Sequence, residues 1–172
     1  GFKNINIAVG YKKELIQEYL IEMYGNAEFN YIDVDYTTPP GNALLEGSNN
    51  IKGNDLLVTL GDTVFKQKLD IENSFVFGSK EYTDRRKWCL STTKSNKIEE
   101  LYDKKNYGPS GNDVYALIGV YYFKKKNILD RVQNENKRIE ISEILNQYKK
   151  KDTMRLIECK GWYDIGHLDK YY

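Results

Sequence analysis

The chain has 172 residues, enough for one domain with a sizeable core. Its 26 Lys and Arg against 25 Asp and Glu leave a formal charge of +1, so nothing drives it as a whole onto nucleic acid or an anionic membrane. No apolar run reaches membrane-spanning length and no signal-peptide pattern opens the chain, so a cytoplasmic protein is expected, its Cys89 and Cys159 two ordinary thiols without metal-ligand spacing.

In chain order, Asn4–Val9 reads as an apolar strand closed by Gly10-Tyr11. Lys12–Tyr24 follows as a helix. Leu15, Ile16, Tyr19, Leu20 and Met23 recur at helical spacing, and Gly25-Asn26 supplies the stop. Phe29–Val34 is the next strand. Thr37 to Asn42, with two prolines and a glycine, reads as a loop before a short helix over Ala43–Asn49. A strand over Asp55–Leu60 completes a strand-helix-strand-helix-strand order, which predicts a parallel sheet with crossover helices. The second half reads as strands over Ser74–Gly78, Lys87–Thr93, Lys97–Tyr102 and Tyr115–Phe123, then a helix over Ile139–Lys149 and a strand over Met154–Cys159. No internal repeat or linker divides the chain, so residues 1–172 are expected to form a single domain. The polar stretch Lys104–Asn112 reads as a loop over a substrate or as plain surface.

Two segments carry the strongest chemical signal. Leu57-Val58-Thr59-Leu60-Gly61-Asp62 and Gly161-Trp162-Tyr163-Asp164-Ile165-Gly166 each place one carboxylate beside glycine after an apolar run. In open α/β sheets, ligands bind where strands deliver such groups. Two carboxylates at one edge can hold a hard cation against a phosphate. Each Asp also has a plainer reading, as a residue that opens a turn.

Together these segments resemble the sugar-phosphate nucleotidylyltransferases, which carry a Gly-Asp after a central strand and a late Trp-x-Asp-x-Gly. Three further pieces fall in the family's order. Ile98 to Lys105 is similar to its Glu-Lys-Pro segment, Ala116 to Phe123 to its Gly-x-Tyr-x-Phe strand, and Ile139 to Ile144 to its Glu-Ile-(Thr/Ser)-Asp helix start. The resemblance implies a three-layer α/β sandwich with a mixed, mostly parallel Rossmann-like sheet. It also implies magnesium-dependent transfer of a nucleotide from a nucleoside triphosphate to a phosphorylated acceptor, a sugar 1-phosphate or a small phospho-alcohol such as phosphocholine.

By the same resemblance, Asp62 and Asp164 hold Mg2+ and Lys104 holds the acceptor phosphate. Gly61, Asp103, Gly119 and Glu140 line the substrate site, and Gly41-Asn42 forms a base-reading turn. Asp103 stands where the family has Glu and Lys105 where it has Pro. Glu140 reads equally as an ordinary first-turn Glu. His167, the single histidine, replaces a family Thr and is not needed for this chemistry.

The family's opening Gly-x-Gly-(Thr/Ser)-Arg loop, which wraps the triphosphate, is absent from these residues. Gly1 to Tyr11 resembles the family's second strand instead. The gap is therefore expected to be filled by a missing amino-terminal segment, by a partner chain such as a second copy in a homo-oligomer, or by a rearranged sheet. The competing readings are a relative that binds a nucleotide sugar without transferring it, and a glycosyltransferase. The latter would use Asp33-Val34-Asp35, which comes early and has no later partner segment.

Overall fold

The computed structural model describes residues 5–25, 29–82, 84–104, 108–109, 111, 113–133 and 138–166. The first half gives β1 (Ile5–Val9), α1 (Lys13–Tyr24), β2 (Phe29–Asp33), α2 (Pro40–Asn49), β3 (Leu56–Thr59) and β4 (Thr63–Phe65). The second half gives β5 (Phe75–Ser79), β6 (Cys89–Lys94), β7 (Lys97–Asp103), β8 (Val114–Phe123), α3 (Ile141–Tyr148), β9 (Arg155–Glu158) and β10 (Trp162–Asp164). Short 3₁₀ turns occupy Arg85–Lys87 and Lys126–Arg131.

The fold is α/β with a mixed sheet, but the expectation of a mostly parallel one is corrected. Among the described residues only β1–β2 and β5–β9 run parallel, and the other pairings are antiparallel. Six strands follow the order β3-β8-β5-β9-β7-β6, and β6 also pairs with β8, so the sheet curls back on itself. Part of the reason is local. Ser95 and Asn96 both take the left-handed conformation, at φ 51° and 59°, between the paired residues Lys94 and Lys97. Two such residues make the tight turn that matches strand twist, so β6 and β7 form a hairpin. The structure also adds β4 and β10, a separate two-stranded antiparallel ladder that pairs Phe65 with Trp162 and Thr63 with Asp164.

Strand β8 organises the core because both of its faces are buried. Leu117, Tyr121 and Phe123 join Ile144, Leu145 and Tyr148 of α3 and Leu44 of α2. Ile118, Val120 and Tyr122 join Phe75 and Phe77, with Phe65 and Trp162 packed against them. Two buried faces explain an uninterrupted apolar run where a half-exposed strand would alternate. Helices α2 and α3 thus cover one face, and the β4–β10 ladder lies over the other. The three-layer expectation does not describe this part of the molecule.

Strands β1 and β2 form their own parallel pair. Tyr24 of α1 meets Phe29 edge-on at 6.0 Å, while Asn6 reaches toward α2, its amide donating to the Gly47 carbonyl at 3.4 Å. The helical period of α1 is as expected, and Gly25 ends it at φ 59° by donating to the Ile21 carbonyl at 2.8 Å. No residue of α1 is buried, however, and Leu15, Tyr19, Ile21 and Met23 are more than half exposed.

Helix α2 begins three residues earlier than expected, at Pro40. A proline there fits the first helical turn, where its missing N–H has no partner to lose. Gly41 then packs into the start of the α3 segment. A methyl group on it would stand 2.3 Å from the Ile139 carbonyl oxygen, and Asn42 Oδ1 accepts the Ile139 N–H at 2.9 Å. Gly41→Ala is therefore expected to lower stability by about 1–3 kcal/mol through overpacking against backbone. Chemical denaturation of the variant would read this as a lower midpoint at unchanged slope. An unchanged midpoint would show that the two helices separate freely.

Candidate active site

The site forms where one edge of β8 changes partner. That edge carries β6 over Val114–Ala116 and β3 over Val120–Phe123, because β5 occupies the other edge along both stretches. Between them β8 bulges: Val76 pairs with Tyr121 and Gly78 with Leu117, so extra β8 residues are looped out. Gly119 lies in the bulge at φ 82°. A side chain on it would meet Leu60 Cδ1 and Thr63 Oγ1, each at 2.9 Å. Only glycine suits both the backbone and the space. Its carbonyl accepts the Leu60 N–H at 2.9 Å, and Thr63 Oγ1 donates to the Ile118 carbonyl at 2.9 Å. The turn after β3 is thus tied to the floor of the gap.

A cavity of about 230 Å³ fills this gap. One wall is Leu60, Asp62, Thr63 and Asp164. The opposite wall is Lys87, Trp88, Cys89, Asp103 and Lys104. Leu117 to Gly119 and Tyr121 form the floor, and the start of α3, at Glu140 to Ser142, closes the side.

Asp62 and Asp164 are brought together by the β4–β10 ladder. The Ile165 N–H donates to the Asp62 carbonyl at 2.8 Å, and the Gly166 N–H to Asp164 Oδ1 at 3.0 Å. A methyl group on Gly166 would lie 2.8 Å from Asp62 Oδ2 and 3.3 Å from Asp164 Oδ1. Both carboxylates therefore converge on one point, and Gly166 leaves that point open. Among the described residues no group of three or more acidic, His or Cys side chains forms a metal cage. Two carboxylates beside an open cavity suit Mg2+, which commonly takes one or two protein carboxylates and fills its other positions with water and phosphate oxygens.

On the opposite wall, Asp103 ends β7, and Ser142 of α3 donates to its Oδ2 at 2.7 Å. Lys104 follows at φ 46°, its N–H donating to the Trp88 carbonyl at 3.1 Å. Glu140 is the residue before α3, and Glu143 accepts its N–H at 2.8 Å. It is Glu143 that occupies the first helical turn, while Glu140 lines the cavity. Burial beside Asp103 pushes the Cys89 thiol up to about 12, so it stays protonated and unreactive at neutral pH.

The cavity therefore gathers Asp62, Asp164, Asp103, Lys104, Gly119 and Glu140 from the sequence expectations. Gly61 is not in its lining, and a side chain there would meet nothing within 4 Å. Gly41 and Asn42 are likewise outside the lining, packed against the α3 segment as described above; their neighbour Pro40 is in it. His167 and Lys105 lie outside the described residues. Sequence reading missed Lys87 and Cys89, which it took for the start of an ordinary strand, and Thr63 and Tyr121. Tyr121 falls inside the Gly-x-Tyr-x-Phe stretch, which could have marked it, while Lys87, Thr63 and Cys89 meet it only through tertiary structure.

A family model described as nucleotidyl transferase matches residues 1–172. The bifunctional protein GlmU of Methanococcus vannielii is 29% identical over 175 residues, covering 95% of this chain. The chain spans only 41% of the length of that relative. A structure assigned as a glucose-1-phosphate thymidylyltransferase from Bacillus anthracis, solved with sucrose, superposes with a TM-score of 0.78 at 20% identity, over 97% of this chain and 72% of that one. The inositol-1-phosphate CTP transferase of T. maritima gives 0.76 at 11% identity, over 99% and 73%. At these identities the two structures speak for the fold.

Proposed function

The chain belongs to the nucleotidyl transferase family, and on that premise we propose that it forms the acceptor side of a nucleotidylyltransferase. The enzyme would join a nucleoside triphosphate to a sugar 1-phosphate and release pyrophosphate. One observation carries the reading: four separate segments deliver Asp62, Asp103 with Lys104, Glu140 and Asp164 to a single cavity.

The division of labour follows from the chemistry of the groups. Lys104 is a mobile point charge suited to the acceptor phosphate. Asp103 and Glu140 are acceptors for sugar hydroxyls, and the Ser142 bond fixes Asp103 in place. The apolar floor and Trp88 exclude water around the ring. One phosphate oxygen of the acceptor attacks the α-phosphorus in line. As that P–O bond forms, the bond from the α-phosphorus to the α,β-bridging oxygen breaks, and pyrophosphate leaves with the electron pair. Positioning and charge neutralisation supply most of the catalysis. Asp62 and Asp164 would hold Mg2+, which when bound neutralises phosphate charge.

The reading extends to the unfinished sheet. Among the described residues β1 pairs only with β2, and β3 only with β8. Neither edge carries the lysines, prolines or bulges that blunt a free edge. A strand from outside these 172 residues, set between β1 and β3, would join the two sheets under α1. That would give the three-layer, Rossmann-like arrangement and cover the apolar residues of α1. The same segment is where a triphosphate-wrapping loop belongs. A reaction that draws on nucleoside triphosphates is in keeping with a cytoplasmic protein.

The test is pyrophosphate release by the full-length protein. A panel of the common nucleoside triphosphates is crossed with sugar 1-phosphates, inositol 1-phosphate and phosphocholine, with and without Mg2+. Metal-dependent turnover with one sugar 1-phosphate is expected. Turnover with phosphocholine alone would move the acceptor class. Nucleotide-sugar binding without turnover on any pair would make this a non-catalytic relative.

A further inference from the structure

The two walls of the cavity belong to different sheets. Asp164 ends β10 and Asp62 directly precedes β4, while Trp88 directly precedes β6 and Asp103 with Lys104 closes β7, and among the described residues no strand pairing joins the ladder to the hairpin. Where the walls meet, the rings of Trp88 and Trp162 stand edge-to-face, with centroids 5.2 Å apart and planes at 90°. These are the two tryptophans of the chain. Trp162 lies two residues before Asp164 on the same short strand, in register with Phe65, which meets Phe77 of β5 edge-on at 5.4 Å. Trp88 precedes β6, packs with the Leu90, Val114 and Ala116 cluster, and accepts the Lys104 N–H through its carbonyl. An aromatic path thus runs from the core through the carboxylate ladder to the turn that holds Lys104. Trp88 lines the cavity, and Trp162 does not.

We propose that the Trp88–Trp162 contact is a positioning device that fixes the distance between the lysine wall and the carboxylate wall. Trp162 acts through Trp88 and does not touch substrate. In-line transfer is sensitive to such spacing, since a misplacement of about 1 Å costs on the order of 10²-fold in rate. A rigid ring-to-ring contact holds spacing better than a flexible side chain would. The inference rests on the nucleotidyl-transfer reading, because it assigns the two walls to the two reacting phosphates.

The experiment uses the full-length protein as wild type, Trp162→Phe, Trp162→Ala, Trp88→Phe, Lys104→Ala and the Trp162→Ala/Lys104→Ala double variant. Far-ultraviolet circular dichroism and thermal melts check that each folds. The touching pair should give wild type an exciton-coupled dichroism signal that every variant lacking either tryptophan loses. Trp162→Ala should lower kcat on the order of 10²-fold with little change in KM for the triphosphate. Trp162→Phe should recover kcat to within roughly threefold of wild type, as an aromatic edge remains to meet Trp88. Measured as kcat/KM for the acceptor, the double variant should lose no more than Lys104→Ala does, because Trp162 has nothing left to position. Wild-type kcat in a folded Trp162→Ala, or additive losses in the double variant, would overturn the inference. So would a wild type without the exciton signal. An inert wild type would instead overturn the functional reading and the inference with it. If Trp162→Ala fails to fold, the folded Trp162→Phe decides through a second cycle with Lys104→Ala, where additive losses again reject the proposal.

Discussion

Replacing Asp62 or Asp164 by Asn is expected to cut Mg2+-dependent pyrophosphate release by at least about 10²–10³-fold, the scale on which one electrostatic stabiliser is lost from a preorganised site. The substitution keeps the shape of each side chain and removes its charge. The β4–β10 ladder should survive, because the Asp62 group that accepts the Ile165 N–H is the backbone carbonyl. Folding should therefore be unaffected or slightly favoured, since two carboxylates that converge on Gly166 repel each other without a cation. Steady-state kinetics over a Mg2+ titration, with a thermal melt of each variant, reads both parts. The concentration of Mg2+ needed for half-maximal rate should rise in either variant. Wild-type turnover in either would remove the metal assignment, and loss of folding without metal would show that the pair has a structural task instead.

Lys104→Ala is expected to raise KM for the phosphorylated acceptor by roughly tenfold to a hundredfold, as a hydrogen bond to a charged group contributes about 1.5–3 kcal/mol. KM for the triphosphate should move much less. Alanine inherits the left-handed backbone at φ 46° and the N–H bond to Trp88, so the turn itself is preserved. The discriminating control is inhibition by the unphosphorylated acceptor. It should compete equally well against wild type and variant, because the lost charge addresses only the phosphate. Equal rises in KM for both substrates would point to a general collapse of the wall. Unchanged acceptor kinetics would return Lys104 to the solvated surface.

Much of the site was legible because its residues sit in short local patterns. Gly-Asp after an apolar run, and Trp-x-Asp-x-Gly near the end, mark strand ends that deliver a carboxylate whatever the rest of the sheet does. Tyr115 to Phe123 reads as a strand, and the structure buries both of its faces. The Leu15 to Met23 spacing announced α1, because helical period is set by hydrogen bonds within the segment. The Gly41-Asn42 pair shows the limit of such reading. A glycine before a helix has the same local signature whether it approaches a nucleobase or another backbone. Here it meets the Ile139 carbonyl, a residue far along the chain.

Local pattern therefore marked the three helices and most strands, though not β4 or β10, and set Asp62 and Asp164 after apolar runs. It could not determine strand direction, since alternation of side chains is identical for parallel and antiparallel partners. Tertiary structure alone decided that β8 joins β3, β5 and β6 antiparallel, and that its bulge at Gly119 opens the cavity. It also decided that the β4–β10 ladder brings Asp62 to Asp164 and that Trp88 meets Trp162. Each of these depends on hydrogen bonds and ring contacts between residues distant in sequence. Their free energy is realised only once the chain has closed, so no window of neighbouring residues encodes them.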